Sequence, residues 1–408
     1  MSGKRVKQIR IGLVLAALAA ILKLGLMAWT EGTVDLFLFR SFGRLAAAEG
    51  WEGVGRTSAY WNHPPPIWFL SGAVWALDAG QGIPFGWVWR LMAVLADLAL
   101  VVGLLWWSAR EDRVAPGVLV LAASPLSILV SGYHGNTDAI LAAFLVAACV
   151  VAGLRERGAW GAGVLVGLAL WVKVAAVLPA ALLTVWFFRC GRRSLAWFCI
   201  AGALTVAIGW FPLVFAPLRV ALQSVGYAGS MSGTWGFTFL MEALGGATFA
   251  SGPEGAGAAG VVQFLKWAAA AVFLLSGVHV LRRGGSPVEA VAVGWCGLLF
   301  LAPSAGVQYS IWVQPFLLLA AVRTGVVFAV AATLWAAAFY WVSLFNSGGA
   351  IISMPLSEYN RYWIPFGLAV WGVCGAAWVR GLLQRRPERA DPGAAEPGGG
   401  GRAGEAAA

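Results

Sequence analysis

The sequence predicts an all-α protein, a polytopic membrane bundle of about twelve transmembrane helices with a long first outer loop. Of its 408 residues, 60% are hydrophobic and only 11% are charged, and the mean hydropathy is +0.79. Soluble domains carry about 25% charged residues, so this chain has too few polar side chains for a water-facing surface. Its 23 Trp residues fit the same class, because indole rings anchor helices at the level of the lipid headgroups.

Apolar stretches follow one another along almost the whole chain. They cover about residues 11–30, 66–79, 87–109, 115–132, 139–154, 159–188, 195–216, 260–281, 286–303, 308–322, 325–345 and 363–380. A span needs about 20 residues, so 66–79 is too short to cross, whereas 159–188 is too long for one straight helix. We therefore expect an interfacial or re-entrant helix over 66–79, and two short spans that turn near Lys173.

Basic residues fall in short clusters between the apolar stretches and orient them. With the two assumptions above, the positive-inside rule places all of these clusters in the cytoplasm. They lie at 4–10, 110–113, 155–157, 189–193, 282–283, 323 and 380–389. This gives twelve spans with both ends cytoplasmic. Because the net charge of +10 is spread over these clusters and forms no basic face, we predict no nucleic-acid partner.

The ends of the chain and its cysteines add three further expectations. The first apolar stretch is too long for a signal-peptide core and suits an uncleaved first span. Residues 1–386 form the transmembrane domain, and the Gly- and Pro-rich residues 387–408 form a disordered cytoplasmic tail. The five cysteines form no CxxC pair, which indicates packing within the bundle and no disulfide framework.

Polar residues without an orienting role collect on the outer face, first of all in the loop at 31–86. Asp35 begins an amphipathic segment, TVDLFLFRSFGRL, in which Leu36, Phe39 and Leu45 face the bilayer if the segment is an interfacial helix. Asp35 is either a functional carboxylate or a helix N-cap that faces water.

Two further outer segments each have a structural and a functional interpretation. In YWNHPPPIWFL the prolines hold a stiff, extended segment that enters a helix, or they present Asn62 and His63 to a ligand. SGYHGNTDA carries His134 and Asn136. In the structural interpretation Thr137 or Asp138 caps the next helix, and in the functional one the glycines let the backbone approach a ligand.

Charged residues inside the apolar stretches must be solvated or paired. Lys173, in GLALWVKVAAVLP, either snorkels to the membrane surface or binds an anion such as a lipid-linked phosphate. We interpret Lys23 as snorkelling, and Arg90 with Asp97 as polar residues that pack within the bundle.

Several segments, from the first span to about residue 320, resemble in sequence order the GT-C superfamily of membrane glycosyltransferases. The resemblance is to polyprenol-phosphate-mannose-dependent mannosyltransferases and to the catalytic subunit of the GPI mannosyltransferase. TVDLFLF keeps the second acid of the family's Asp-x-Asp motif as Asp35, but Thr33 replaces the first. The other similar segments are SAYWNHPPPIWFL, SPLSILVSGYHGNTDAILAAFL, GLALWVKVAAVLPAALL and SAGVQYSIWVQPFLLL.

The resemblance implies transfer of a sugar from a polyprenyl-phosphate donor to an acceptor hydroxyl on a glycan or a lipid, with inversion at the anomeric carbon. Among the sugars, it favours mannose. Asp35 is then the catalytic base. The residues that bind the donor phosphate are Lys173, His134, Arg90 and Arg361. Those that contact the sugar or the acceptor are Asn62, His63, Asn136, Asp138, Gln308, Tyr309 and Trp312. Because the first acid of a metal-holding pair is missing, we predict no divalent metal and no other cofactor.

A transporter or lipid flippase is the alternative, because it also needs polar residues inside a membrane bundle. Such a protein places them through the whole membrane depth, whereas here they cluster on one face. The Ala- and Gly-rich composition favours a bacterial inner membrane, with the active site facing the periplasm or the cell exterior, among membrane lipids.

Overall fold

The protein is described by a computed structural model over residues 3–57, 63–108, 115–216, 218–225, 235–238, 256–346 and 356–384. Within these ranges the chain is helical, and one isolated antiparallel β-bridge joins Trp235 to Ala305. The predicted all-α fold is therefore confirmed. The tail predicted over 387–408 lies outside the described residues.

The described helices are numbered in chain order. They are α1 Gly3–Trp29, α2 Val34–Thr57, α3 Pro65–Gln81, α4 Phe85–Ser108, α5 Pro116–Ala122, α6 Pro125–Ser127, α7 Asp138–Ala152, α8 Ala159–Val172, α9 Val177–Cys190, α10 Arg192–Trp210, α11 Leu218–Val225, α12 Ala256–Arg282, α13 Pro287–Leu301, α14 Ser310–Ala320, α15 Val322–Asn346 and α16 Leu356–Leu383. A π-helix, Ile128–His134, continues α6, and 3₁₀ turns lie at Arg155–Gly158, Val174–Ala176, Phe211–Phe215 and Val307–Tyr309.

Seven helical segments of the described chain are long and apolar enough to cross a bilayer. They are Arg5–Trp29, Phe85–Ser108, Pro116–His134, Arg192–Phe215, Gly260–Arg282, Val322–Trp341 and Trp363–Leu383. Shorter apolar helices, including α7 and α13, have 10–17 residues. Large apolar side chains on the outside of the bundle, such as Ile21 at 63% exposure and Leu275 at 71%, suit contact with lipid. An integral membrane helix bundle is thus confirmed.

The two ends of the bundle carry different polar side chains. At one end, called here the site end, the carboxylates of Asp35 and Asp138 are hydrogen-bonded to His134, Asn136 and Lys173. At the other end, Arg189 donates to the carbonyl of Leu281, and Arg283 donates to the carbonyl of Leu382 at 2.9 Å. The carboxylates used below belong to the site end.

Two helices, α2 and α3, lie between the first two long spans, where interfacial helices were expected. They pack closely, because a Cβ on Gly43 would overlap the carbonyl of Ser71. The prediction that Leu36 and Phe39 face the bilayer is wrong. Both are buried, at 5% and 3% exposure, and the Phe39 ring lies against His63 at 5.0 Å between centroids. The apolar side of α2 therefore covers protein, and the sequence pattern does not distinguish that from lipid.

The apolar stretch at 159–188 breaks at Lys173, as predicted. Lys173 has extended backbone angles, φ −158° and ψ 137°, between the end of α8 and the 3₁₀ turn that leads into α9. Helix α8 packs against α10 through Gly163 and Gly167, where a Cβ would collide with the α10 backbone or with Thr205. Small residues four apart allow helices to approach this closely in membranes. This packing holds the end of α8, and so Lys173, in place.

The interpretation of Lys23 as a snorkelling side chain is wrong. Lys23 is buried at 5% exposure, and its Nζ lies 3.0 Å from Asp97 Oδ2 and 2.8 Å from Ser127 Oγ. Asp97 also accepts hydrogen bonds from Ser127, at 2.7 Å, and from Ser131. A buried charge is tolerated when it is paired and hydrogen-bonded, so Asp97 pairs with Lys23 and not with Arg90.

Candidate functional site

Asp35 lies in the first turn of α2, just after the chain leaves α1. Gly32, with φ +86°, turns the chain, and the Thr33 hydroxyl donates to the carbonyl of His134 at 2.7 Å. Helix α2 begins at Val34, so Asp35 lies inside the helix and is not its N-cap. The interpretation of Asp35 as a cap that faces water is therefore wrong. Through this hydrogen bond Thr33 ties α2 to the π-helix.

The π-helix brings two polar side chains to Asp35. It ends at His134, and Gly135 follows with φ +79°, so the chain turns sharply before α7. His134 Nε2 then lies 3.0 Å from Asp35 Oδ2, and Asn136 Nδ2 donates to the same oxygen at 2.6 Å. π-Helical turns inside membrane helices are frequent at functional sites. The predicted residues Asp35, His134 and Asn136 are thus brought together.

A buried tyrosine extends this network on the far side of His134. The Tyr340 hydroxyl lies 2.9 Å from His134 Nδ1. An ionised carboxylate only accepts hydrogen bonds, so a neutral His134 carries its proton on Nε2, and Nδ1 accepts the proton of Tyr340. This tautomer is assigned from the hydrogen-bond network. The result is a chain of donors, from Tyr340 through His134 to Asp35.

Asp35 is ionised at every physiological pH. Its burial alone raises its pKa, but interactions with His134, Asn136 and Lys173 outweigh burial and lower the pKa to about 2. Its side chain remains 24% exposed. A carboxylate that is held ionised and is still reachable can accept a proton from a ligand, or can stabilise positive charge that develops next to it.

Lys173 is paired, and it lies over two aromatic faces. Its Nζ donates to Asp138 Oδ1 at 2.7 Å, and the Trp312 indole donates to the same oxygen at 2.8 Å. The ammonium lies 5.3 Å from the centroid of the Tyr309 ring and 5.4 Å from that of Trp312. Predicted residues from three separate segments thus meet at this cation. The Lys173 side chain is 13% exposed, so a ligand can reach it.

Asp138 anchors this second group and is fully buried. Its Oδ1 accepts both hydrogen bonds described above, while Oδ2 has no hydrogen-bond partner in the described part of the chain. Helix α7 begins at Asp138, and neither Thr137 nor Asp138 caps it through a side chain. The interpretation of this pair as an ordinary helix cap is therefore wrong. Asn136 instead accepts from the backbone N–H of Thr137 at 2.6 Å.

His63 joins the proline-bearing segment to the end of α8. Its Nδ1 lies 3.3 Å from the carbonyl of Val172, the residue before Lys173. The carbonyl only accepts, so Nδ1 is the protonated nitrogen. Burial, and then the charge of Lys173, lower the pKa of His63 to about 3. His63 is therefore neutral, and it fixes the backbone next to Lys173.

The two groups, one around Asp35 and one around Lys173, are electrostatic neighbours. The charge of Lys173 lowers the pKa of both Asp35 and His63. The Asp35 partner Asn136 and the Lys173 partner Asp138 are two residues apart on the chain. We call these residues the polar cluster: Asp35, His134, Asn136, Asp138, Lys173, Trp312 and Tyr340.

Arg90 is placed differently from the other predicted phosphate ligands. It is buried, and its Nε donates to the carbonyl of Gly86 at 2.9 Å. Its two Nη atoms donate to the Thr30 hydroxyl and carbonyl and to the carbonyls of Met27 and Gly132 at 2.7–3.3 Å. All five N–H donors of the guanidinium are thus occupied by neutral oxygens. Arg90 fastens the end of α1 to α4 and the π-helix, and it has no donor left for a phosphate.

The remaining predicted residues fall near the polar cluster or outside the described chain. Tyr309 stacks on Trp312 at 4.4 Å between centroids. Gln308 lies directly before Tyr309 in the 3₁₀ turn Val307–Tyr309. Asn62 and the side chain of Arg361 lie outside the described residues. Among the residues that the structure describes, no group of three or more His, Cys, Asp or Glu side chains could hold a metal ion.

Sequence reasoning missed Tyr340. It lies in AAAFYWVSLF near the end of α15, where an aromatic residue is the ordinary anchor at a membrane boundary. Only its burial, at 2% exposure, and its contact with His134 distinguish it from such an anchor. The sequence signals for a polar end of the bundle, such as Asp35, His63 and the short spacing from His134 to Asp138, do not include Tyr340.

Comparisons with known proteins add no identification to this geometry. The chain matches no protein-family model, no curated protein and no solved structure.

Proposed function

We propose that this protein is a membrane glycosyltransferase that transfers a sugar from a polyprenyl-phosphate donor to an acceptor hydroxyl, with mannose as the favoured sugar. The observation that carries the proposal is the polar cluster, in which an ionised and partly exposed Asp35 neighbours the partly exposed cation of Lys173. Both lie at one end of an apolar helix bundle, where a lipid-linked substrate can present its phosphate. The resemblance of the surrounding segments to GT-C enzymes supports the same assignment.

In the proposed reaction the acceptor oxygen attacks the anomeric carbon while the bond from that carbon to the phosphate oxygen breaks. Polyprenyl phosphate leaves, the configuration inverts, and the acceptor proton moves to Asp35. A carboxylate with a low pKa is a weak base towards a free alcohol. The hydroxyl becomes acidic, however, as its oxygen bonds to the sugar, so the proton moves late. Until then the Asp35 anion also stabilises the positive charge on the sugar.

Lys173 takes the part of the cation that stabilises the leaving phosphate. It uses one N–H on Asp138, and an ammonium has two more donors. Asp138 and the two aromatic rings hold the ammonium in place, so little side-chain entropy is lost when the phosphate binds. Tyr309 is half-buried beside Lys173 and can contact a sugar ring or a prenyl chain, whereas Trp312 is buried and supports this site by stacking on Tyr309 and donating to Asp138.

The proposed topology completes the account. In this topology the seven long spans, the four shorter apolar helices and α8 would each cross the membrane, which gives twelve crossings that alternate between the site end and the basic end. If the positive-inside rule holds, the basic end is cytoplasmic. The polar cluster then faces the periplasm or exterior of a bacterial inner membrane, where the donor lipid delivers the sugar.

The proposal is tested by sugar transfer in proteoliposomes that contain a polyprenyl-phosphate-mannose donor and an extract of envelope glycolipids as acceptors. We expect wild-type protein to transfer mannose and Asp35→Asn to lose at least about 10³-fold in rate, because the base and its charge are both removed. Glu49→Gln is the matched control, since Glu49 is an exposed carboxylate on the same helix. Full activity in Asp35→Asn removes Asp35 as the base, and no transfer by wild-type protein from mannose, glucose or arabinofuranose donors removes the reaction.

The transporter reading has one observation in its favour, the buried pair of Lys23 and Asp97 deeper in the bundle. The cavity beside this pair is only about 20 Å³, roughly the space of one water molecule. The pair is also closed by hydrogen bonds from Ser127 and Ser131. A hydrogen-bonded pair with so little space beside it, among the residues that the structure describes, supports the enzyme over the transporter. Lipid scrambling by the reconstituted protein would favour the transporter instead.

A further inference from the structure

A second feature of the site end is a cavity of about 390 Å³ between the end of α1, the first turns of α2 and the beginning of α4. The polar and aromatic residues that line it include Trp29, Glu31, Arg40, Asp78, Trp87 and Arg90. Asp35 is not among its lining residues, whereas Leu36 and Phe37, which follow it on α2, are. None of the seven residues of the polar cluster lines this cavity, so we treat it as a separate feature of the site end.

The charges around this cavity balance, two against two. Glu31 and Asp78 are acidic, and Arg40 and Arg90 are basic. Arg40 Nε donates to Asp78 Oδ2 at 2.8 Å, which uses one of the five N–H donors of that guanidinium. The Arg40 side chain is 55% exposed, so its other donors are accessible from the cavity and from water.

Arg90 gives the cavity a fixed positive charge. Its hydrogen bonds go to neutral oxygens, and in the described part of the chain it forms no salt bridge. A buried guanidinium without a counter-ion attracts an anion to its surroundings even though its own donors are occupied. The anion is then bound directly by Arg40, whose donors remain.

The cavity also lies where two of the long apolar helices end, the level at which a bilayer would meet water. Trp29 ends one long span and Phe85, two residues before Trp87, begins another. Trp29 is 88% exposed and Trp87 is 47% exposed, as expected for indoles that lie among lipid headgroups. A ligand with apolar chains in the bilayer thus reaches the cavity with its polar head.

We infer that this cavity binds the headgroup of a zwitterionic phospholipid with a primary ammonium, of the phosphatidylethanolamine type. The phosphate lies beside Arg40 in the field of Arg90, and the ammonium donates hydrogen bonds to Glu31 and Asp78. A choline headgroup has no N–H to donate, and an anionic headgroup brings no ammonium to Glu31, whereas Asp78 already accepts from Arg40. The balanced lining therefore selects a headgroup that carries both charges.

The experiment is native mass spectrometry of the full-length protein released from nanodiscs that contain equal amounts of phosphatidylethanolamine, phosphatidylcholine and phosphatidylglycerol. We expect retained lipid to be enriched in phosphatidylethanolamine. Arg40→Gln and Glu31→Gln should each lower that enrichment by about fivefold, which is the size of one partly screened, charge-assisted hydrogen bond. Arg44→Gln is the matched control, because Arg44 is exposed on the same helix but does not line the cavity.

Equal retention of the three lipids, or a preference for phosphatidylglycerol, overturns the inference. So does an unchanged enrichment in Arg40→Gln, provided that the variant melts at the wild-type temperature. If Arg40→Gln fails to fold, Glu31→Gln decides alone, because Glu31 is an exposed residue at the rim of the cavity. The binding assay uses no sugar donor, so it remains valid whether or not the protein transfers a sugar.

Discussion

At the scale of single residues, the state of His134 sets the state of Asp35. His134 donates to Asp35 through Nε2 while Tyr340 occupies Nδ1. Tyr340 is buried and touches no ligand in the proposed reaction, so it is a positioning residue. Its hydroxyl fixes which nitrogen of His134 carries the proton, in the way that a carboxylate or carbonyl does for other histidines.

Replacement of Tyr340 by Phe should therefore change the pH dependence of transfer, not only its rate. Without the tyrosine proton, His134 is free to carry its own proton on Nδ1, and its hydrogen bond to Asp35 is lost for part of the time. The pKa of Asp35 then rises from about 2, and the acid limb of the profile of kcat/KM moves to higher pH. Tyr133→Phe is the control, because Tyr133 lies against the Tyr340 ring but forms no hydrogen bond with His134 in the described chain. An unchanged acid limb in Tyr340→Phe would argue against this role.

His63 makes a separate prediction about stability. Its pKa is lowered from 6.5 to about 3 in the folded protein, so below about pH 6.5 the unfolded chain binds a proton that the folded protein does not. Stability from this group is complete above pH 6.5 and decreases as the pH falls towards 3. Between pH 7 and pH 5 the loss is about 2 kcal/mol. Thermal unfolding in detergent should show that decrease in wild-type protein and a smaller one in His63→Gln; parallel curves would contradict it.

At the scale of elements, the sequence predicts where a helix is interrupted better than it predicts which side of a helix is buried in protein. The length of the apolar stretch at 159–188 predicts a break, because thirty apolar residues exceed one span, and the charge of Lys173 marks its place. The prolines after His63 place the beginning of α3. The buried face of α2 was assigned to lipid, since lipid and protein core are equally apolar and the pattern of Leu36 and Phe39 fits either. The π-helix before His134 has no sequence signature that we recognised.

The pair of Lys23 on α1 and Asp97 on α4 gives a prediction for helix packing. Asp97→Ala leaves a buried ammonium without its counter-ion and should cost about 3–5 kcal/mol of unfolding free energy. The double variant Lys23→Met, Asp97→Leu removes both charges and should recover most of that loss, because the surroundings are apolar. Unfolding in a series of denaturing detergent mixtures measures both. A double variant as unstable as the single one would show that the pair contributes more than mutual neutralisation.

At the scale of the whole molecule, composition alone predicts an integral membrane helix bundle, because 11% charged residues beside 60% hydrophobic ones are too few for a water-facing surface. The candidate site was predicted in part. Asp35, His134, Asn136, Asp138, Lys173 and Trp312 come from four separate segments and form two neighbouring hydrogen-bonded groups. Their partners could not be predicted, since the pairing of Lys173 with Asp138 or of Lys23 with Asp97 depends on which helices are neighbours. Arg90 is the opposite case. It was predicted to bind a phosphate, but in the structure its hydrogen bonds join helices.

The measurement that tests the central claim most directly is the binding of sugar-free polyprenyl phosphate to three purified proteins: wild type, Lys173→Met and Asp35→Asn. If Lys173 holds the phosphate and Asp35 makes no contact with it, Lys173→Met should bind at least about tenfold more weakly. Asp35→Asn should bind as tightly as wild type, or more tightly, because a negative charge near the phosphate is gone. Equal affinity of wild type and Lys173→Met for the lipid phosphate would contradict the assignment of the polar cluster as the donor site.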